Sequence, residues 1–245
     1  MSIRNSAESY SKLFQAISLL GLGLVPFMLI RTMMNPSVIK SQPQIVGLIF
    51  ITICLLGAIA GIRPLTCSMS LSLGSKHHDQ IRNHETSLSN EKSTRRGHHY
   101  TCEDFSAHVL HIGENVFCAG CTGLTTGAAI AIIGSFFYFI IGIPPIAAEL
   151  VFWLGFAGVA IGTIQHKIYK VLGNTGGFFR FMLNIIFVNG AFLLLVGADQ
   201  LAASIAVDTY ILLIVLFWIY TRIVMSKSEH QRICSQCGSR ECNNS

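Results

Sequence analysis

Between His98 and Cys121 the chain reads HHYTCEDFSAHVLHIGENVFCAGC, a concentration of groups able to bind a metal or transfer electrons. These 24 residues hold four histidines (His98, His99, His108, His111), three cysteines (Cys102, Cys118, Cys121) and three carboxylates (Glu103, Asp104, Glu114). Cys118-x-x-Cys121 is a chelating pair, because two thiolates at that spacing reach one tetrahedral ion. His108-x-x-His111 is expected to set two imidazoles on one side of a helical turn. Zinc takes such ligands, and structural sites almost always use four of them. The leading expectation is a zinc site made by Cys102, Cys118 and Cys121, completed by His108 or His111. The spacing is not that of a standard zinc finger, so the choice between the two histidines stays open.

A second chemistry fits the same residues. A thiol at the N-terminus of a helix is held in its reactive thiolate form by the helix dipole. Cys118 and Cys121 run directly into apolar sequence, so a membrane thiol oxidoreductase passing electrons to a quinone is the alternative. A metalloprotease is not expected. No His-Glu-x-x-His occurs, and His108-Val-Leu-His111 has no glutamate in the base position.

These residues must be positioned by the rest of the chain, and its composition says how. Of 245 residues, 51% are hydrophobic and only 12% charged, against about 25% charged in soluble domains. Six apolar blocks stand out: Leu13–Ile30, Ile45–Ile62, Gly123–Ile143, Ile146–Ile164, Phe181–Ala198 and Thr209–Val224. Each approaches the roughly 20 residues that a membrane-crossing helix needs. As core helices of a soluble protein they would lack polar sequence to coat them. The expected fold is an all-α integral membrane protein, a bundle of about six transmembrane helices with a mobile cytoplasmic loop and tail. Arg31-Thr32-Met33-Met34 follows the first block where a signal peptide would carry a small-residue cleavage site. That block is therefore expected to be retained.

Charge sets the orientation. With six spans, fifteen of the seventeen Lys and Arg fall on the side shared by both termini and the loops 63–122 and 165–180. Only Arg31 and Lys40 fall opposite. The positive-inside rule counts basic residues in this way, so both termini and the central loop are expected in the cytoplasm, beneath the cell membrane. Cys102, Cys118, Cys121, Cys234, Cys237 and Cys242 then sit where thiols stay reduced. A disulfide framework is disfavoured.

Four regions follow: an N-terminal transmembrane hairpin (1–64), a His/Cys-rich cytoplasmic loop (65–117), a four-helix core (118–225) and a cysteine-containing tail (226–245). The insert from Ser75 to Arg96 is polar and nearly free of large apolar residues, so it is expected to stay mobile. In the tail, Cys234, Cys237 and Cys242 with His230 offer either a second small metal site or exposed thiols. Gly123, Gly127, Gly155, Gly158 and Gly162 predict close helix packing, and Asn184 and Asn189 predict hydrogen bonds inside the bundle.

The cysteine spacing resembles an uncharacterised family of prokaryotic membrane proteins, domain of unknown function 2085, over about residues 100 to 165. That family has Cys-His, then about sixteen residues, then Cys-x-Arg-Cys-Thr-Gly entering a transmembrane helix. Here Cys102 takes the first position and Cys118-Ala-Gly-Cys121-Thr122-Gly123 the second. Glu103 stands where the family has His, and Gly120 where it has Arg. The resemblance implies the membrane architecture and the three-cysteine grouping, and no particular reaction.

The reading is thus a polytopic membrane protein in which a zinc ion ties the central loop to the bundle, more a binding protein than an enzyme. The alternative is the thiol oxidoreductase, and a small-solute transporter is third. The expected partners are the lipid bilayer and a metal ion, with no nucleic acid among them.

Overall fold

A chain crossing hydrocarbon must satisfy its backbone N–H and C=O groups internally, which leaves the α-helix as the form open to isolated apolar runs. The computed structural model describes residues 2–35, 42–62, 108–112, 115–144, 147–172 and 176–237. Its helices are α1 (Ser2–Met34), α2 (Pro43–Ile62), α3 (Ala119–Ser135), α4 (Ala148–Leu172), α5 (Gly177–Ala202) and α6 (Ile205–Cys237). A π-helical stretch, Phe136–Ile141, prolongs α3 and ends at Gly142 with φ 82°, a left-handed conformation that suits glycine.

Each of the six helices contains a stretch long and apolar enough to span a bilayer. Their outer faces carry Leu20, Leu48, Leu56 and Leu213, all more than 60% exposed. Faces of that kind are stable against lipid tails and would associate in water. The fold is therefore the expected all-α membrane bundle, and contact with the bilayer follows from it.

The helices alternate in direction. Gln15 of α1 donates to the Thr163 carbonyl of α4 (3.1 Å), and Ser18 of α1 meets Thr221 of α6 (3.2 Å). The starts of α1, α3 and α5 thus share one end of the bundle with the later parts of α2, α4 and α6. Among the basic residues whose side chains are described, Lys12, Lys167, Arg180 and Arg222 lie at this end and Arg31 at the other.

Helix α5 is the centre. Of its most apolar window 56% is buried, against 28–33% for the other five helices. It packs mainly on α3 and α4 and also touches α1 and α6. Hydrophobicity does not drive helices together in lipid, because the tails are as apolar as leucine; close packing does. At the α4–α5 crossing a Cβ on Gly155 would collide with the backbone of Leu194, and one on Gly190 would lie 2.8 Å from the Val159 nitrogen. Gly123 and Gly127 of α3 face α5 in the same way, against Phe181 and Val188. The glycines do the packing work expected of them.

Helix α1 is held differently, by polar and aromatic contacts to α6. Tyr210 donates to the Gly21 carbonyl (2.8 Å), and the Trp218 indole to the Ser18 carbonyl (3.2 Å). The Phe14 ring sits edge-on to Tyr220, with centroids 5.6 Å apart.

Two local expectations are corrected. Val109–Ile112 (β1) and Asn115–Cys118 (β2) form an antiparallel hairpin, so His108 and His111 have no helical turn to share. Val-Leu-His-Ile and Asn-Val-Phe-Cys are rich in strand-forming side chains around Gly113-Glu114, which is hairpin composition. The tail, in turn, continues α6 as far as Cys237. Extending a helix that already exists adds one hydrogen bond per residue without a new nucleus, so a polar tail can stay helical. The insert Ser75–Arg96 and Cys242 lie outside the described residues.

Gly155→Leu should destabilise the bundle by about 1–3 kcal/mol, the usual effect of overpacking. Gly23→Leu, where a side chain meets nothing within 4 Å, should be neutral to within about 0.5 kcal/mol. Thermal unfolding of both variants in detergent checks this, and equal midpoints would contradict the central place of the α4–α5 crossing.

Candidate functional site at the basic end of the bundle

The site begins with the hairpin. In its register Val109 pairs with Cys118 and His111 with Val116. His108 is therefore adjacent to the open end of the hairpin, beside the entry to α3. The hairpin docks on α5 through Gly177, where a Cβ would overlap the Val109 carbonyl oxygen. No other residue type leaves room for the strand there.

Cys118 caps α3 from an extended conformation (φ −70°, ψ 115°), and Cys121 lies in the first helical turn. Both are half-buried. The Thr122 hydroxyl donates to the Cys118 carbonyl (2.9 Å), within its own helix. Of the expected ligands, Cys118, Cys121 and His108 are thus brought to one end of the bundle. Cys102 and the side chain of His111 lie outside the described residues. Among the described residues no group of three or more His, Cys, Asp or Glu converges on a metal position.

His108 is engaged by an arginine. The Arg180 Nη1 lies 3.2 Å from His108 Nδ1. A guanidinium only donates, so Nδ1 accepts and the ring proton sits on Nε2. A ligating imidazole normally gives its second N–H to a carboxylate or carbonyl. Arg180 presents the opposite polarity, so His108 would have to release it before taking a cation. The Arg180 guanidinium also stacks over the Tyr169 ring, 4.2 Å from its centroid.

One turn along α5, Asn184 links this arginine to another. Its Nδ2 donates to the Arg180 carbonyl (2.7 Å), while its Oδ1 accepts from Arg222 Nη2 of α6. The Arg222 guanidinium lies over the Phe187 ring, 4.1 Å from its centroid. Asn184 thus makes the expected hydrogen bond between helices. Asn189 does not: its Nδ2 returns to the Ile185 carbonyl of its own helix (3.0 Å).

Arg180, Arg222 and Tyr169 were not among the residues that sequence reading singled out for the site. A signal was present for Arg222, a lone cation inside an otherwise apolar run. At the opposite end lies a second polar group. Tyr138 donates to Asp199 Oδ2 (2.8 Å), Asp199 is nearly buried, and Asp208 is fully buried in the first turn of α6, where the helix dipole favours a negative charge.

No family model, curated protein or solved structure matches the chain.

The fit of Gly177 against Val109 makes a direct prediction. Gly177→Ala should lift the hairpin and speed alkylation of Cys118 and Cys121 by a thiol reagent several-fold. Gly176→Ala, at an open position, should leave the rate unchanged. Equal rates in the two variants would show that the hairpin is not held by this contact.

Proposed function

We propose that this chain is a multi-pass protein of the cell membrane, its termini cytoplasmic, that holds a zinc-class ion at the mouth of α3. The ligands in this reading are Cys118 and Cys121, completed by Cys102 and one imidazole. His111 is the better candidate because Arg180 engages His108. The supporting observation is the hairpin register, which delivers the end of the central loop to the helix turn bearing both thiols. Their donor type also suits zinc, which takes thiolate and imidazole in four-coordinate sites. Bound there, the ion would supply a cross-link between loop and bundle. The Cys102…Cys118-x-x-Cys121-Thr-Gly signature of domain of unknown function 2085 supports the same grouping.

A second reading has an observation of its own. Cys118 at the cap and Cys121 in the first turn both sit in the field of the α3 N-terminus, which favours thiolates. A thiol oxidoreductase would use these two as a reversible pair.

Metal analysis of the purified full-length protein separates the two. The zinc reading expects about one ion per chain, lost in both Cys118→Ser and Cys121→Ser. Absence of metal together with a reversible Cys118–Cys121 disulfide would sink it in favour of the second reading. Orientation is tested on a variant that keeps Cys234 as its sole cysteine. A membrane-impermeant thiol reagent should label it only after the cells are opened, and labelling of intact cells would reverse the topology.

A further inference from the structure

The side chain of Asn184 meets α3 in two places. A Cβ added to Gly123 would lie 2.9 Å from the Asn184 Cβ, so the root of the side chain is pressed against the α3 backbone. One turn nearer the start of α3, a Cβ added to Gly120 would lie 4.0 Å from Asn184 Nδ2 and 4.0 Å from Cys118 Sγ. The amide therefore runs along the first turn of α3 toward its cap. Its nitrogen and the Cys118 sulfur border one point, and glycine at 120 puts no side chain there.

Asn184 is buried, and both ends of its amide are fixed. Oδ1 accepts from Arg222 Nη2, and Nδ2 donates to the Arg180 carbonyl. A guanidinium only donates, which settles which amide atom is oxygen and which is nitrogen. An amide nitrogen carries two hydrogens, and the Arg180 carbonyl takes one. The first N–H groups of a helix have no carbonyl partner within it, so this nitrogen adds a donor to a place already rich in donors. The acceptor that suits such a place is a negatively charged sulfur. Cys118 supplies one when it is a thiolate, the form that binds metals and exchanges with disulfides.

We propose that Asn184 is the positioning residue of the thiol site. Its second amide hydrogen goes to Cys118 Sγ when that sulfur is a thiolate, while Arg222 holds and polarises the amide from behind. Metal ligands are oriented by partners of this kind, and losing one costs about 10–100-fold in affinity. The inference rests on Cys118 working as a thiolate, either as a zinc ligand or as half of a reversible pair with Cys121. It adds the group on α5 that orients the sulfur and so ties the mouth of α3 to the centre of the bundle.

The test loads the purified full-length protein with cobalt(II), whose absorption bands report its sulfur ligands, and measures affinity against a competing chelator. Asn184→Leu, close in shape, should bind cobalt about tenfold more weakly, with the sulfur-to-cobalt charge-transfer band shifted. Asn184→Asp keeps an acceptor for Arg222 but sets an oxygen against the thiolate, so it should bind more weakly still. A role in packing alone predicts the reverse order, because Asp matches Asn in shape. Asn189→Leu, on the same helix but with its amide returned to the Ile185 carbonyl, should behave as wild type. If wild type takes cobalt and both Asn184 variants match it, this inference is overturned and the zinc reading stands. If wild type takes no cobalt, the zinc reading falls and the second measurement decides. A variant keeping only Cys118 and Cys121 is equilibrated with oxidised glutathione, which is reduced to two thiols as the pair becomes a disulfide. Asn184→Leu should then shift the balance several-fold toward the disulfide, which has no thiolate to stabilise. An unchanged balance, or no disulfide at all, overturns the inference.

Discussion

Where Gly155 and Gly158 of α4 meet Gly190 of α5, two helix backbones touch with no side chain between them. Lipid offers helices no hydrophobic reason to associate, so such contact is the main attraction available. Fixing α5 in this way fixes what it carries. Arg180 and Asn184 lie on its first turns, Gly177 receives the hairpin, and Phe187 lies beneath Arg222. Close approach in the middle of the membrane thus sets the geometry at its edge.

The interior is apolar in its middle and polar at both ends, and the two ends differ in sign. Arg180 and Arg222 occupy one, Asp199 and Asp208 the other. Helix dipoles reinforce part of this arrangement and oppose part of it. Asp208 benefits from the start of α6, whereas Asp199 stands near the end of α5, where the dipole disfavours it. Tyr138 supplies the hydrogen bond that offsets this for Asp199. Arg222 is met instead by the Asn184 amide and the Phe187 ring.

How much of this was legible in the sequence depends on the distance over which each feature is written. The six spans are compositional, each contained in a single run, and could be read directly. The packing glycines were legible because their spacing follows one helix. The hairpin was not, because Val-Leu-His-Ile is too short for its period to distinguish a strand from a helical turn. The helical tail was missed because its polar residues carry no periodic signal, while its conformation is inherited from the helix before it. The Arg180–Asn184–Arg222 chain joins two helices 38 residues apart at the Asn184–Arg222 contact. Sequence alone marked Asn184 as inward-facing and could not name its partner.

The polarity of this end bears on the cysteines. Three thiolates outweigh the double charge of a zinc ion, so a site of three Cys and one His would be net negative. Arginines nearby would stabilise such a complex even though they repel the bare ion. They would favour a lone thiolate pair by the same attraction. Electrostatics therefore selects negative charge at the mouth of α3 without selecting its chemical form. What distinguishes the forms is direction: His108 faces Arg180 with its lone pair. A cation at this mouth must rely on the sulfur ligands and on an imidazole other than His108.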